Sequence, residues 1–158
     1  TSLYAGGLVG SNRGSISKSY ATGNVNGNNT SGGLVGYNRG DIINSYSNGN
    51  VHSTFSAAGF TGTNDSTIVN SYSTGAVTSN FTPAGFISRV QSGSTVISSY
   101  WDKEASGVNI GVESGSSAGT LLPFGLLMKA PDIPSIKDLI SIHWQLQEMK
   151  AGECSQVR

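Results

Sequence analysis

Apolar residues return along this chain at a fixed interval. The phrase Ala5-Gly6-Gly7-Leu8-Val9-Gly10 reappears as Ser31-Gly32-Gly33-Leu34-Val35-Gly36. It returns in altered form as Ala57-Ala58-Gly59-Phe60-Thr61-Gly62 and Pro83-Ala84-Gly85-Phe86-Ile87-Ser88, each start 26 residues after the last. Aligning the blocks gives apolar rows: Leu8, Leu34, Phe60 and Phe86; Ile16, Ile42 and Ile68; Val25, Val51 and Val77. A Tyr row (Tyr20, Tyr46, Tyr72) and polar rows of Asn12, Asn38, Asn64 and of Ser19, Ser45, Ser71 run alongside. In the fourth block two extra residues intervene before Val96, Ile97 and Tyr100 resume the pattern. A spacing held this strictly marks a stacked-repeat architecture, in which each unit buries its apolar side only against its neighbours.

Each block predicts three short extended pieces, at 7–9, at 16–21 and a stub at Val25, separated by Asn/Gly turns at 12–14 and 22–24. Helix is the rival reading and fails. Gly, Ser, Asn and Thr are poor helix formers, and no 3.6-residue period runs through 5–100. The expected fold is all-β: a parallel β-helix-like solenoid of about four 26-residue coils, starting near 5, 31, 57 and 83, with a small mixed C-terminal cap. Strands about 4.8 Å apart set like side chains over like. The Asn12–Asn38–Asn64 row then predicts an amide ladder between coils, and the Gly rows mark either positive φ or a backbone approach too close for a Cβ.

The repeat pattern occupies 1–107. Beyond it, 111–120 reads as a Gly/Ser-rich loop, and Pro123, Pro131 and Pro134 interrupt any long element. Ser135 is placed to cap a helix through Ile136, Leu139 and Ile140, while Ile140, Ile142, Trp144 and Leu146 alternate like a strand. A short helix followed by a strand is expected, with 108–158 covering the open end of the solenoid. The N-terminal end shows no comparable cap, so further coils or another chain are expected to stack there.

Gly-Gly-Leu-Val-Gly-x-Asn-x-Gly followed by Ile-x-x-Ser-Tyr-x-x-Gly-x-Val resembles the GLUG motif, a repeat of bacterial surface and secreted proteins. Residues 7–14 and 33–40 carry the motif fully. The third and fourth copies depart, with Thr61 for Val, Ser66 for the second Gly and Ser88 for Gly. Ser99-Tyr100-Trp101-Asp102 before Ser106-Gly107 is similar to the way such arrays finish. The resemblance implies an extracellular or cell-surface setting and adhesin-like company, without an activity for the repeat itself.

Composition narrows the function classes. Charged residues make up 11% of the chain and the net charge is zero, so nothing points to nucleic acid or to an anionic membrane. No apolar run reaches the roughly 18–20 residues that span a bilayer, and no membrane insertion is expected. Cys154 is the one cysteine, which rules out an intrachain disulfide and a cysteine metal cluster. His52 and His143 lack ligand-spaced partners, so no metal and no cofactor are expected. Asp41 and Asp65, the carboxylates of the repeat body, fall in different rows, whereas glycan-cleaving solenoids need clustered acids. Arg39 lies one coil from Asp65, and a surface ion pair is expected there. Asp102 and Glu104 read as solvated cap residues. No catalytic residue is assigned.

Two aromatic rows are candidates for contact with a ligand or another chain. Tyr20, Tyr46 and Tyr72 read first as core residues with hydroxyls at the rim, and second as a sugar-binding stripe. Phe55 and Phe81, 26 apart in a Ser/Thr-flanked loop, read equally as packing residues and as a ligand surface. The expected function is a non-enzymatic structural or adhesive segment of an exported surface protein, self-associating through the solenoid ends into a filament or meeting a glycan or host-surface ligand. The alternative is an accessory or carbohydrate-binding region of a secreted peptidase or glycan-active enzyme.

Overall fold

The structure, a computed structural model, describes residues 3–115. These residues wind as a β-solenoid whose coils are joined by five parallel ladders. The first ladder holds Tyr4–Gly6, Thr30–Gly32, Ser56–Ala58 and Thr82–Ala84. The second holds Val9–Asn12, Val35–Asn38, Thr61–Asn64, Ile87–Val90 and Val112–Gly115. Ile16–Ser17, Ile42–Ile43, Thr67–Val69 and Thr95–Ile97 make the third. Tyr20–Ala21, Tyr46–Ser47, Tyr72–Ser73 and Tyr100–Trp101 make the fourth. Val25–Gly27, Val51–Ser53 and Val77–Ser79 make the fifth.

Register follows the sequence rows. Val9 pairs with Val35 and Val35 with Thr61, and Ile16 pairs with Ile42 and Ile42 with Ile68. The two extra residues of the fourth block are absorbed in a turn at Gly93, whose φ is +87°, so that Val96 still lands on Ile68. The corner row is continuous: Leu8 N–H donates to the Leu34 carbonyl, Leu34 to Phe60 and Phe60 to Phe86, at 2.9, 2.8 and 3.0 Å.

Five strands per coil replace the three expected, for two local reasons. The stretch 16–21 breaks in the middle because Lys18, Asn44, Asn70 and Ser98 adopt left-handed backbone at φ 46–52°. One such residue turns the chain out of its strand, and Asn, used in the two inner coils, tolerates that conformation best. At 7–9 the chain is not one strand but a bend at Gly7-Leu8 between the first and second ladders. The bend lets the first ladder double back over the outer side of the second, where Gly36 and Gly62 lie against Ala5 and Thr30.

The cross-section therefore has two cores. The larger lies among the second, third and fourth ladders and holds Leu34, Val35, Ile42, Phe60, Ile68, Phe86, Ile87 and Trp101. The smaller lies between the first and fifth and holds Ala5, Val25, Val51, Ala57, Val77 and Val108. The repeat glycines serve close approach rather than positive φ: a Cβ on Gly33 would overlap the carbonyl oxygen of Gly59 in the next coil.

Within the described residues the coil pattern changes after Tyr100, and most of the cap expected at 108–158 lies outside them. Trp101 enters the row that holds Ala21, Ser47 and Ser73, and its indole lies against Gly85 and Gly111. Phe86 and Ile87 both donate to the Gly111 carbonyl at 2.9 Å, as Phe60 and Thr61 do to Phe86. Gly111 thus occupies the Leu/Phe corner with no side chain, and the indole fills the space. Asp102 caps the short helix Lys103–Ser106 by accepting from the Glu104 and Ala105 amides, and Gly107 ends it at φ +69°. That turn delivers Val108 onto the smaller core. Val112–Gly115, assigned to a loop from sequence, is a strand paired with Ile87–Val90. The helix and strand expected at 135–146 lie outside the described residues.

Candidate functional site: the outward rows

In each strand, alternate residues leave the core, and on a solenoid every outward position repeats as a stripe along the axis. On the fourth ladder the inward residue of each pair is Ala21, Ser47, Ser73 or Trp101, so the tyrosines face out. This corrects the core reading of Tyr20, Tyr46 and Tyr72. Tyr20 is 59% exposed, and Tyr46 and Tyr72 are half-buried by their neighbours. Tyr20 and Tyr46 stack with ring centroids 5.1 Å apart at 7°, and Tyr46 and Tyr72 at 5.0 Å and 4°. Burial in this stack pushes the Tyr72 hydroxyl up to about 12, with Tyr46 adding to it. Because each inner ring is covered on its face by the next, the row presents ring edges and hydroxyls. A sugar that stacks on aromatics needs an open ring face, and Tyr46, held between Tyr20 and Tyr72, offers none.

Phe55 and Phe81 share a second outward stripe, at the corner between the fifth and first ladders. They are 51% and 64% exposed, with centroids 4.5 Å apart and planes tilted by 32°. Leu3 occupies the same row in the first coil and is also exposed. Beside this corner the fifth ladder turns out Asn26, His52 and Thr78, with His52 Nδ1 and Thr78 Oγ1 at 3.0 Å. These residues, with Asn24, Asn50, Val51 and Ala76, line a shallow depression of about 270 Å³. This polar row was missed from sequence although it keeps the 26-residue spacing, because its members differ in every coil. A third stripe, Ile43, Val69 and Ile97 on the third ladder, was missed because it adjoins the buried Ile row.

The Asn row lies inside and is a ladder. Asn12 Nδ2 donates to Asn38 Oδ1 and Asn38 Nδ2 to Asn64 Oδ1, both at 2.8 Å, while Asn64 Nδ2 ends the run on the Ser66 carbonyl at 2.7 Å. The same side chains set the adjacent turn, since Asn12 Oδ1 accepts from the Gly14 amide and Asn38 Oδ1 from Gly40.

The remaining polar candidates are scattered. Asp41 accepts from Ser66 Oγ at 3.1 Å and is exposed. Arg39 stacks on Tyr37, its guanidinium carbon 4.3 Å from the ring centroid, in place of the expected pairing with Asp65. Tyr37 also contributes most to holding the Arg39 proton, ahead of Asp65. Among the described residues no three His, Cys, Asp or Glu side chains gather around a point, and no helix is long and apolar enough to cross a membrane.

The family comparison bears on the first two coils. The model of the GLUG motif matches residues 1–26 and 27–51. These coils are GLUG repeats. The third and fourth coils continue the same ladders in register, with Thr61 and Ser88 in positions that the first two fill with Val and Gly. No curated protein and no solved structure matches the chain. A GLUG array wound as a β-solenoid fits a structural repeat region.

Proposed function

We propose that this chain is a rod-forming, non-enzymatic stretch of an exported bacterial surface protein, acting as an adhesive stalk or structural fibre outside the cell. The observation that carries the reading is the unbroken register of the second ladder from coil to coil, which makes the repeat a stiff spacer whose length grows with coil number. The outward rows add an almost uncharged Ser/Thr/Asn surface, suited to hydrogen bonding without electrostatic attraction. Electron microscopy of the parent protein tests it: straight, thin projections are expected, and a compact globular particle would sink the idea. Turnover of glycans or peptides by the purified chain, lost in Asp41→Ala, would favour an enzymatic accessory region instead.

A second reading, glycan or host-surface binding, is favoured by the exposed Phe55–Phe81 pair beside the Asn26–His52–Thr78 row. Exposed aromatics next to amide and hydroxyl groups supply both contacts that a neutral sugar uses. Glycan-array binding that disappears in the Phe55→Ala/Phe81→Ala double variant is expected, and unchanged binding dismisses the site. Self-association through the solenoid ends is also part of the proposal, and sedimentation as a monomer up to high concentration would remove it.

A further inference from the structure

The depression on the outer face of the fifth ladder carries hydrogen-bonding groups that are held in place and unspent. Asn24 Oδ1 accepts the Asn50 amide, and Asn50 Oδ1 accepts the Ala76 amide, both at 3.0 Å. Each bond ties a side-chain amide to the backbone of the next coil and leaves its Nδ2 without a partner among the described residues. Both asparagines are exposed, one coil apart. Two residues further on, Asn26, His52 and Thr78 form a second outward row in strict register. His52 Nδ1 and Thr78 Oγ1 share a hydrogen bond at 3.0 Å, which orients the ring and leaves Nε2 to donate or accept according to tautomer. The Asn26 amide is exposed and unbonded among the described residues. Two parallel rows of polar groups thus run along the axis and repeat about every 4.8 Å.

Charge is absent from this strip. Residues 22–29, 48–55 and 74–81, which form it in three successive coils, contain no Asp, Glu, Lys or Arg. An anionic sugar chain would find no cation here to offset the loss of its hydration. The depression is shallow and spans those three coils, from Asn24 and Asn26 to Ala76 and Thr78. It suits an extended chain laid along the axis better than a compact molecule enclosed on all sides. Phe55 and Phe81, more than half exposed, border the strip three residues past the His52–Thr78 row.

We infer that this strip binds an extended β-1,4-linked chain of neutral sugars lying parallel to the solenoid axis, one ring to a coil. The inference deepens the glycan reading above and rests on it. Its carrying observation is the period. In a β-1,4-linked chain of equatorially joined pyranose rings, each ring advances by nearly the rise of one coil, so hydroxyls return in step with the two polar rows. An α-1,4-linked chain curls and falls out of step after its first contacts. Sugar hydroxyls both donate and accept, which matches amide donors beside an imidazole and a hydroxyl. The phenylalanines offer apolar surface to the C–H faces of the rings at the edge of the strip.

The test titrates the full chain with cello-, manno- and xylo-oligosaccharides from disaccharide to hexasaccharide, with maltohexaose and hexagalacturonate beside them. Affinity for at least one β-linked series should rise about tenfold or more from disaccharide to tetrasaccharide, the effect of one or two hydrogen bonds per added ring. It should then level off, because the rows span three coils. Maltohexaose and hexagalacturonate should bind at least about tenfold more weakly than the hexasaccharide of that series. Asn50→Asp keeps the Oδ1 that holds the Ala76 amide and removes the Nδ2 donor. This variant should bind the hexasaccharide about tenfold more weakly with its urea midpoint in place. Affinity independent of length, a control hexasaccharide bound as well as the β-linked one, or unchanged binding by Asn50→Asp overturns the axial alignment. No binding to any chain of the panel, with glycan-array binding retained, overturns the alignment alone. Loss of both overturns the glycan reading with it.

Discussion

Two aromatic stacks run side by side through this solenoid with nearly the same geometry and opposite surroundings. Phe60 and Phe86 are stacked 4.7 Å apart at 7° inside the larger core, and Tyr46 and Tyr72 are stacked 5.0 Å apart at 4° on the outer face. The matching spacing is imposed by the parallel backbone and owes little to ring attraction, because strands 4.8 Å apart bring like residues together whatever lies around them. What differs is water. The phenylalanines are almost wholly removed from it, whereas the tyrosines shield only one another. A regular row in a repeat sequence is therefore evidence of stacking and no evidence of burial.

The largest effect that separates the two stacks is truncation. Phe60→Ala removes a fully buried ring between Leu34 and Phe86 and should cost about 3–5 kcal/mol by chemical denaturation. Tyr46→Ala, with the same row geometry, should cost about 1 kcal/mol, the scale of one exposed aromatic pair. Equal losses would mean that stacking itself, and not burial, holds the coils. A smaller effect with the opposite sign is expected at Thr61, which lies in the inward Val9–Val35–Ile87 row with its hydroxyl unbonded. Thr61→Val keeps the shape and removes the buried polar group, and should raise stability by about 1 kcal/mol in the same titration.

The subtlest difference is pH dependence. Tyr72 has its hydroxyl pushed up to about 12 in the folded chain, against the ordinary 10. Between those values the unfolded chain loses the proton first, so folding stability is complete below pH 10 and falls as pH rises toward 12. Urea midpoints measured from pH 9 to 12 should decline over that window in the parent chain and more weakly in Tyr72→Phe. No difference between the two would place the Tyr72 ring in water.

How much of this was legible in the residue order can be followed row by row. Leu34, Phe60, Ile42 and Ile68 were readable as core, because apolar identity and strict spacing agree there. The Asn12–Asn38–Asn64 ladder was readable too, since an Asn kept at a turn in successive coils has a neighbour of its own kind to bond. The Tyr row was misread because its spacing is identical to that of a core row. Only the inward placement of Ala21, Ser47 and Ser73 next to it fixes which side of the strand the rings take, and small residues give little signal. The Asn26–His52–Thr78 row escaped notice because a stripe on a surface need not repeat its chemistry, only its geometry.

Length of coil, parallel pairing and register were settled by the sequence alone, since a 26-residue period that resumes after two extra residues in the fourth block admits few ways to bury its apolar side. The split into five strands, the doubling of the first ladder over the second and the seating of Trp101 against Gly85 and Gly111 were decided only in three dimensions. Each depends on contacts between residues that are far apart in the coil. A left-handed Lys18, a glycine under a neighbour's carbonyl or an indole filling the gap left at Gly111 is a matter of which backbone lies against which, and no one-dimensional period records that.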